Sequence, residues 1–164
     1  MSQLPVSVLA ALNEQLTMER TAHATYRAMA MSFEALNFPG MAAWMRKSSD
    51  EEQGHADKIA NYIADRGDAP IYEALGAVST SKGDAPQNYF KNALDLEQTV
   101  TASLKRKYVL ACIDDYQTGI FLQWFLSKQV EGEKIIEEIC DMFQRAGAGL
   151  GYVIMDQRLA EMAK

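Results

Sequence analysis

The sequence predicts an all-α protein: a four-helix bundle with one long crossover connection and a short fifth helix at its C-terminus. The chain has only four prolines, and the stretches between them are rich in Ala, Leu, Met, Glu, Gln and Lys, which favour helices. Strand-type alternation of polar and apolar residues is absent over any useful length. The long helical stretches have similar lengths and are joined by a short, a long and a short connection, as in a crossover bundle.

The first two helices are predicted to be joined by a tight turn. The first runs from about Pro5 to Ala35, because proline is well tolerated in a first helical turn. The second runs from about Pro39 to Arg66 and is stopped by Gly67. The turn between them reads Asn37-Phe38-Pro39-Gly40.

Residues 67–86 differ in composition from the rest of the chain. Gly-Asp-Ala-Pro occurs at both ends of this segment, and its middle is rich in Ser, Thr and Gly. We interpret it as one long surface connection. At up to about 3.3 Å per residue it can run the length of the bundle, so the helices before and after it would point in the same direction.

Proline, aspartate and glycine residues predict the bounds of the last three helices. The third runs from about Pro86 to Ile113, and Asp114-Asp115-Tyr116 is interpreted as a turn with a new helix N-terminus, which carboxylates favour. The fourth continues to about Ala146. Three glycines then break the pattern, and residues 152–162 could form the short fifth helix.

Length and charge limit the possible functions. The 164 residues are expected to form one domain, residues 1–164, with a formal charge of −6 from 16 Lys and Arg and 22 Asp and Glu. That charge argues against nucleic acid or an anionic membrane as a partner. No secretion signal and no run of 18 apolar residues occurs, and the two cysteines form no metal-type pair, so we expect a cytoplasmic protein.

Polar residues interrupt the inner face of each long helix near its middle. A bundle core should be apolar, and a carboxylate left unpaired there is strongly unfavourable, whereas bound cations would offset that cost. The alternative is a set of salt-bridged surface residues on faces that point outward. The residues are Glu19 on the first helix, Glu52 and His55 on the second, Glu97 on the third and Gln129 on the fourth.

The strongest local signal is the Glu-x-x-His pair formed by Glu52 and His55. Residues at positions i and i+3 share one helix face and can bind the same metal ion. A carboxylate between two metals, with an imidazole on one of them, is a common way to build a di-iron centre in a bundle. The pair alone is weak, but together with Glu19 and Glu97 it favours a di-metal centre.

On these residues the sequence resembles a ferritin of the non-haem bacterial kind over nearly its whole length. The resemblance implies a ferritin-like fold, iron storage, and a homo-oligomeric shell of 24 subunits whose closure the short last helix assists. The matching motifs are Asn13-Glu14-Gln15-Leu16 with Glu19 and Tyr26, Glu51-Glu52-x-x-His55, Leu96-Glu97-Gln98, Phe121-Leu122-Gln123-Trp124-Phe125 and Gln129-Val130-Glu131.

The resemblance also implies a ferroxidase centre that oxidises Fe(II) with O2 and delivers Fe(III) to a ferric oxyhydroxide core. Glu19, Glu52 and His55 would hold the first non-haem iron. Glu52 would bridge to a second iron held mainly by Glu97, with Gln129 as a weak ligand or a hydrogen-bond partner. Oxygen-rich ligands suit Fe(III), and one imidazole helps to retain Fe(II).

Several positions depart from the family pattern or have a second interpretation. Tyr26 would donate a hydrogen bond or an electron, and the alternative is a packed aromatic ring with a satisfied hydroxyl. Gly132 stands where many bacterial ferritins place a carboxylate ligand, so the second site is expected to be weaker or more open. Glu133 could partly substitute for the missing carboxylate ligand, but it lies on the other side of the inner face of the fourth helix. His23 lies one turn after Glu19 as a further candidate ligand, although a hydrogen-bonded core histidine is commoner.

A third iron site, often found toward the cavity in bacterial ferritins, is expected to be absent or much altered. Lys128 places a cation among the residues that would form it, which leaves Glu51 and Glu131 as transit groups or as parts of a solvated acidic face. Haem is not expected, because Gln53 occupies the position of the haem-binding methionine of bacterioferritins.

Two other functions remain open at this stage. One is a di-iron oxygenase or peroxidase on the same bundle, against which the missing second Glu-x-x-His and rubredoxin-type cysteines count. The other is a purely structural or mineral-nucleating shell subunit without its own oxidase, which would be expected to lack ligands that are present here.

Overall fold

The computed structural model describes residues 3–78 and 83–164, and five α-helices account for most of them. Each predicted helix is confirmed, with boundaries that differ by at most two residues. Residues 79–82 of the predicted connection lie outside the described part of the chain. The helices are α1 (Val6–Ala35), α2 (Pro39–Asp65), α3 (Pro86–Asp114), α4 (Tyr116–Ala146) and α5 (Leu150–Met162).

Hydrogen bonds at one end of the bundle establish the helix directions. The Leu4 backbone N–H donates to Asp68 at 3.1 Å, which brings the start of α1 to the end of α2. The Ser7 hydroxyl donates to Asp114 at 2.8 Å, which brings the start of α1 to the end of α3. α2 and α3 therefore both run opposite to α1, and the predicted crossover topology is confirmed.

The beginning of the crossover connection lies along α1. The Ile71 backbone N–H donates to the side-chain oxygen of Asn13 at 2.7 Å, and Arg20 donates to the Glu73 carbonyl at 2.8 Å. These bonds satisfy backbone groups of a segment that has no regular structure of its own.

A polar layer divides the bundle core into two apolar clusters. On every long helix a buried polar residue with a carboxylate or amide side chain lies between the residues of the first cluster and those of the second: Glu19, Glu52, Glu97 or Gln129. The first cluster includes Phe33, Met45, Phe90 and Phe143, and the second includes Leu16, Ile63, Leu104 and Phe125. The four polar residues are thus brought to one level of the bundle by packing above and below them.

Two contacts fix the ends of the bundle. A Cβ atom at Gly40 would lie 1.9 Å from the Asp156 carbonyl oxygen, so only glycine allows α5 to approach α2 this closely, and the Asp156 carboxylate accepts the Met41 N–H at 2.8 Å. At the other end, the Arg66 guanidinium donates to the Asp115 carboxylate at 2.7 and 3.2 Å. Asp115 directly precedes α4, as the sequence predicted. No helix in the described ranges is long and apolar enough to cross a membrane.

Candidate metal centre

Three of the predicted ligands meet in the polar layer. Glu19 from α1 and Glu52 and His55 from α2 each offer one ligand atom, and these atoms all lie within 4.8 Å of one another. The Nδ1 atom of His55 is 3.1 Å from Glu52 Oε2 and 3.9 Å from Glu19 Oε2. Two carboxylates and one imidazole at this separation form a donor set of the kind that iron accepts.

The two carboxylate oxygens of Glu19 have different surroundings. Gln15 donates a hydrogen bond from Nε2 to Glu19 Oε1 at 2.7 Å. Glu19 Oε2 is buried and has no hydrogen-bond partner among the described residues. Because a buried carboxylate oxygen without a partner is strongly unfavourable, a cation at this point would satisfy it. The residues present therefore fit an iron ion.

Burial makes the two carboxylates of this group hard to ionise while no cation is bound. Burial, and then the neighbouring charge of Glu52, raise the pKa of Glu19 well above its usual value. Burial is also the main cause that raises the pKa of Glu52, with further contributions from Glu97 and Glu51. A bound cation opposes both effects, so binding a divalent metal is coupled to the loss of protons from this group.

Glu97 reaches the same layer from α3, but neighbours hold both of its oxygens. The Tyr26 hydroxyl donates to Glu97 Oε1 at 2.5 Å. The side-chain amide of Gln129 donates to Glu97 Oε2 at 2.9 Å and lies 3.2 Å from its carbonyl oxygen. Burial, followed by the Glu97 charge, raises the pKa of Tyr26, so the hydroxyl keeps its proton and acts as a donor. Each carboxylate oxygen has a second lone pair, so Glu97 can bind a metal ion beside these hydrogen bonds, although the two donors already balance part of its negative charge.

The polar layer opens into a cavity of about 910 Å³ between α2 and α4. Glu52, His55, Glu97, Gln129 and Tyr26 all contribute to its lining. These five residues therefore face a shared, solvent-connected space, as a site that takes up and releases ions requires.

The cavity also determines which side of α2 is polar. Ser48 and Tyr62 continue the helical spacing of Glu52, His55 and Ile59, but they are half-buried and line the cavity. Ser49 and Ile63, one residue further along, are fully buried.

Two further candidates, Glu51 and Glu131, line the cavity and are exposed. Lys128 donates to Glu131 at 2.7 Å, so the predicted cation pairs with one of the proposed transit groups. Gly132 lines the cavity as well. A Cβ atom at Gly132 would meet no atom of the described residues within 4 Å, so the position is open.

Two other candidates are held elsewhere. Glu133 accepts a short hydrogen bond from the Thr101 hydroxyl and is not among the described residues that line the cavity. The Nδ1 atom of His23 lies 2.8 Å from the Ser49 carbonyl oxygen, and the Ser49 hydroxyl donates back to the His23 carbonyl at 3.0 Å. His23 thus joins α1 to α2 and is not in the group formed by Glu19, Glu52 and His55.

Sequence reasoning missed the residues that hold the ligands from behind. In the sequence, Gln15 is only part of a motif and Lys107 belongs to none. Both are buried, and Lys107 donates to Gln15 at 2.8 Å. A signal was present, because Lys107 lies seven residues after Val100 and three after Leu104, on the buried face of α3.

The fold and the site together define a helical bundle protein that gathers carboxylates and one histidine into a candidate metal site. Residues 9–146 match the ferritin-like domain of the ferritin family. The chain therefore belongs to the ferritin family, which confirms the resemblance, and it is an iron-storage ferritin.

Its relatives are bacterial non-haem ferritins. It is 34% identical over 152 residues to one from Bacteroides fragilis, covering 92% of this chain and 94% of the relative. It is 37% identical over 145 residues to one from Staphylococcus epidermidis, covering 88% and 87%.

Solved structures of ferritins share the fold. An open-pore ferritin from the hyperthermophilic archaeon Archaeoglobus fulgidus superposes with a TM-score of 0.93 and 27% identity, covering 98% of each chain. An engineered closed form of that ferritin gives 0.92 and 27% identity, covering 96% and 97%.

Proposed function

We propose that this ferritin is a ferroxidase, which binds two Fe(II) ions inside each bundle and oxidises them with O2. The observation that carries the proposal is the group of Glu19, Glu52 and His55, in which Glu19 Oε2 is buried without a partner among the described residues. Each of the two Fe(II) ions would give up one electron, and O2 would take up both electrons together with two protons from water to form H2O2. Fe(III) then leaves for a ferric oxyhydroxide core.

The first iron would bind to Glu19, Glu52 and His55. Neutral His55 supplies a nitrogen ligand, and the two carboxylates balance most of the charge of the incoming ion. Since their ligand atoms are already close together, this ion requires little rearrangement of the chain.

The second iron would bind between Glu52, acting as a bridge, and Glu97. Gln129 and Tyr26 would remain hydrogen-bond partners of Glu97, which is the role that their present bonds support. With no carboxylate at position 132, the second ion would have fewer protein ligands than in many bacterial ferritins. Glu133 accepts a hydrogen bond from Thr101 and is not among the described residues that line the cavity, so it would have to move to become a ligand.

Glu51 and Glu131 would guide ions between the centre and the mineral, because both are exposed carboxylates along the cavity wall. The pairing of Glu131 with Lys128 supports the absence of a regular third iron site. His23 is not needed as a ligand in this scheme.

We further propose a homo-oligomeric shell of 24 chains around the mineral, by similarity to the family. Cys112 and Cys140 are free thiols, as is usual in a reducing compartment such as the cytoplasm. Sedimentation velocity of the purified protein would test the assembly: one species of 24 chains supports it, and a stable monomer or dimer contradicts it.

The ferroxidase proposal is tested by stopped-flow addition of Fe(II) to the apo-protein in air. We expect a fast oxidation phase that saturates near two irons per chain and is nearly abolished in Glu52→Ala. Asp50→Ala is a matched control, because Asp50 is an exposed carboxylate on the same helix that is not among the described cavity-lining residues.

Each other outcome has a distinct meaning. Saturation near one iron would mean that Gly132 has removed the second site. An unchanged rate in Glu52→Ala would contradict the bridging assignment. Slow bulk oxidation alone in the wild type would favour a structural or mineral-nucleating shell subunit.

A further inference from the structure

Lys107 is a buried cation in the C-terminal third of α3. Its side chain is only 6% exposed, and it lies between the buried residues Leu104 and Ala111 on the face that packs against α1. Burying an ammonium group is costly unless it is hydrogen-bonded and its charge is balanced. The partners of Lys107 therefore indicate what the residue does.

Those partners all come from α1. Lys107 Nζ is 2.8 Å from Gln15 Oε1, 3.4 Å from Glu14 Oε1 and 3.5 Å from Met18 Sδ. Gln15 is completely buried, while Glu14 is exposed. The shortest contact of the ammonium group is thus with a neutral amide rather than with the nearby carboxylate.

The chemistry of the three groups fixes the direction of each hydrogen bond. An ammonium group can only donate, so Gln15 must turn its oxygen toward Lys107. The NH2 group of Gln15 then points the opposite way and donates to Glu19 Oε1 at 2.7 Å. This leaves Glu19 Oε2 as the free oxygen, 3.9 Å from His55 Nδ1.

We propose that Lys107 is a positioning residue for the first metal site, acting through the side-chain amide of Gln15 on the carboxylate of Glu19. The inference rests on the proposed function, because it requires a metal ion at Glu19, Glu52 and His55. Lys107 does not touch that ion. It fixes the amide orientation that holds one oxygen of Glu19 and presents the other.

Replacing Lys107 should therefore weaken metal binding, although Lys107 itself does not contact the metal. With an apolar residue at 107, the buried oxygen of Gln15 has no partner, and rotamers of Gln15 that satisfy it elsewhere compete with the one that binds Glu19. Glu19 then loses its fixed orientation. A merely structural role, joining α3 to α1, would change stability and leave the metal site as it is.

The test titrates apo shells with Co²⁺, which reports its ligand geometry through visible absorption. The variants are Lys107→Met, Gln15→Leu and the double variant, with wild type and Glu52→Ala defining the signal from the centre. Ser103→Ala is the matched control, since Ser103 is a buried polar residue one turn away on α3 and is not part of the chain of bonds. Thermal unfolding of every variant is measured in parallel.

We expect Lys107→Met to raise the dissociation constant of the first Co²⁺ about tenfold, or about 1.4 kcal/mol, and to change its spectrum. Ser103→Ala should match the wild type. In the Gln15→Leu background, the Lys107→Met change should have no further effect on affinity, because its route to Glu19 is already interrupted.

Two results would overturn the inference alone. One is wild-type affinity and spectrum in Lys107→Met with only an altered unfolding temperature. The other is an undiminished effect of Lys107→Met in the Gln15→Leu background. If instead the wild type binds Co²⁺ no better than Glu52→Ala, the proposed metal centre fails, and the positioning role fails with it.

Discussion

Glu52 shows how a single buried carboxylate links metal binding to pH. Burial raises its pKa to about 8. At a pH between the pKa values of the unfolded and folded states, the metal-free folded chain therefore keeps a proton on Glu52 that the unfolded chain releases. For an acid whose pKa is raised by folding, the protonated form stabilises the fold at low pH. That contribution is lost as the pH rises from the unfolded value of about 4.3 through the folded value.

The unfolding temperature of the metal-free wild type, relative to metal-free Glu52→Gln, should therefore fall as the pH increases across this interval. The amide variant is the appropriate reference, because it has nearly the same shape and cannot ionise. Differential scanning calorimetry of both proteins at several pH values provides the measurement. A constant difference would show that Glu52 is already ionised in the metal-free protein.

At the residue scale, the sequence indicated which side chains meet in the polar layer better than how they are hydrogen-bonded. Glu19, Glu52 and His55 stand out because polar residues are unexpected on a core-facing stripe. The engagement of Glu97 by Tyr26 and Gln129 depends on rotamers set where three helices meet, and helical spacing carries no information about it.

At the scale of helices, two glycines differ in the space that a side chain would have. Gly132 lies inside α4, where an added Cβ atom would meet no atom of the described residues within 4 Å. Gly40, in contrast, lies against the backbone of Asp156. A glycine in a helix interior costs about 0.5–1 kcal/mol relative to alanine when the space is free.

Gly132→Ala should therefore raise the unfolding temperature slightly. Gly40→Ala should lower it and loosen α5, because a Cβ atom cannot stand 1.9 Å from a carbonyl oxygen. Thermal unfolding followed by circular dichroism compares the two variants. Equal effects of the two substitutions would show that α5 does not pack on α2 as described.

The helices themselves were predictable because prolines and glycines mark their ends. The length of residues 67–86 also predicted the crossover. The bonds that hold this connection, such as Asn13 to Ile71, were not predictable, because they join a helix surface to a segment without a repeating pattern. The polar side of α2 was also not predictable in detail, because it follows the cavity rather than the apolar core.

At the scale of the whole molecule, the polar layer weakens the metal-free bundle in the middle of its core. A ligand that binds the folded state stabilises it by about 2.7 kcal/mol at a concentration one hundred times its dissociation constant. Co²⁺ should thus raise the unfolding temperature of the wild type. Glu52→Ala should show little of this increase, and calorimetry with and without the metal measures both. An equal increase in both proteins would place the stabilising ions outside the polar layer.

Under the proposed assignment, the hydrogen bonds on Glu97 also set how the protein responds to supply. The first ion would enter a group of ligands that is already assembled, whereas the second would share Glu97 with the donors Tyr26 and Gln129 and would therefore bind less tightly. When Fe(II) is scarce, most occupied centres would hold one ion and lack the second. Because oxidation needs both ions, its rate would then rise more steeply than in proportion to the Fe(II) concentration. The shell would therefore oxidise little Fe(II) when the ion is scarce and much of it when the ion is in excess.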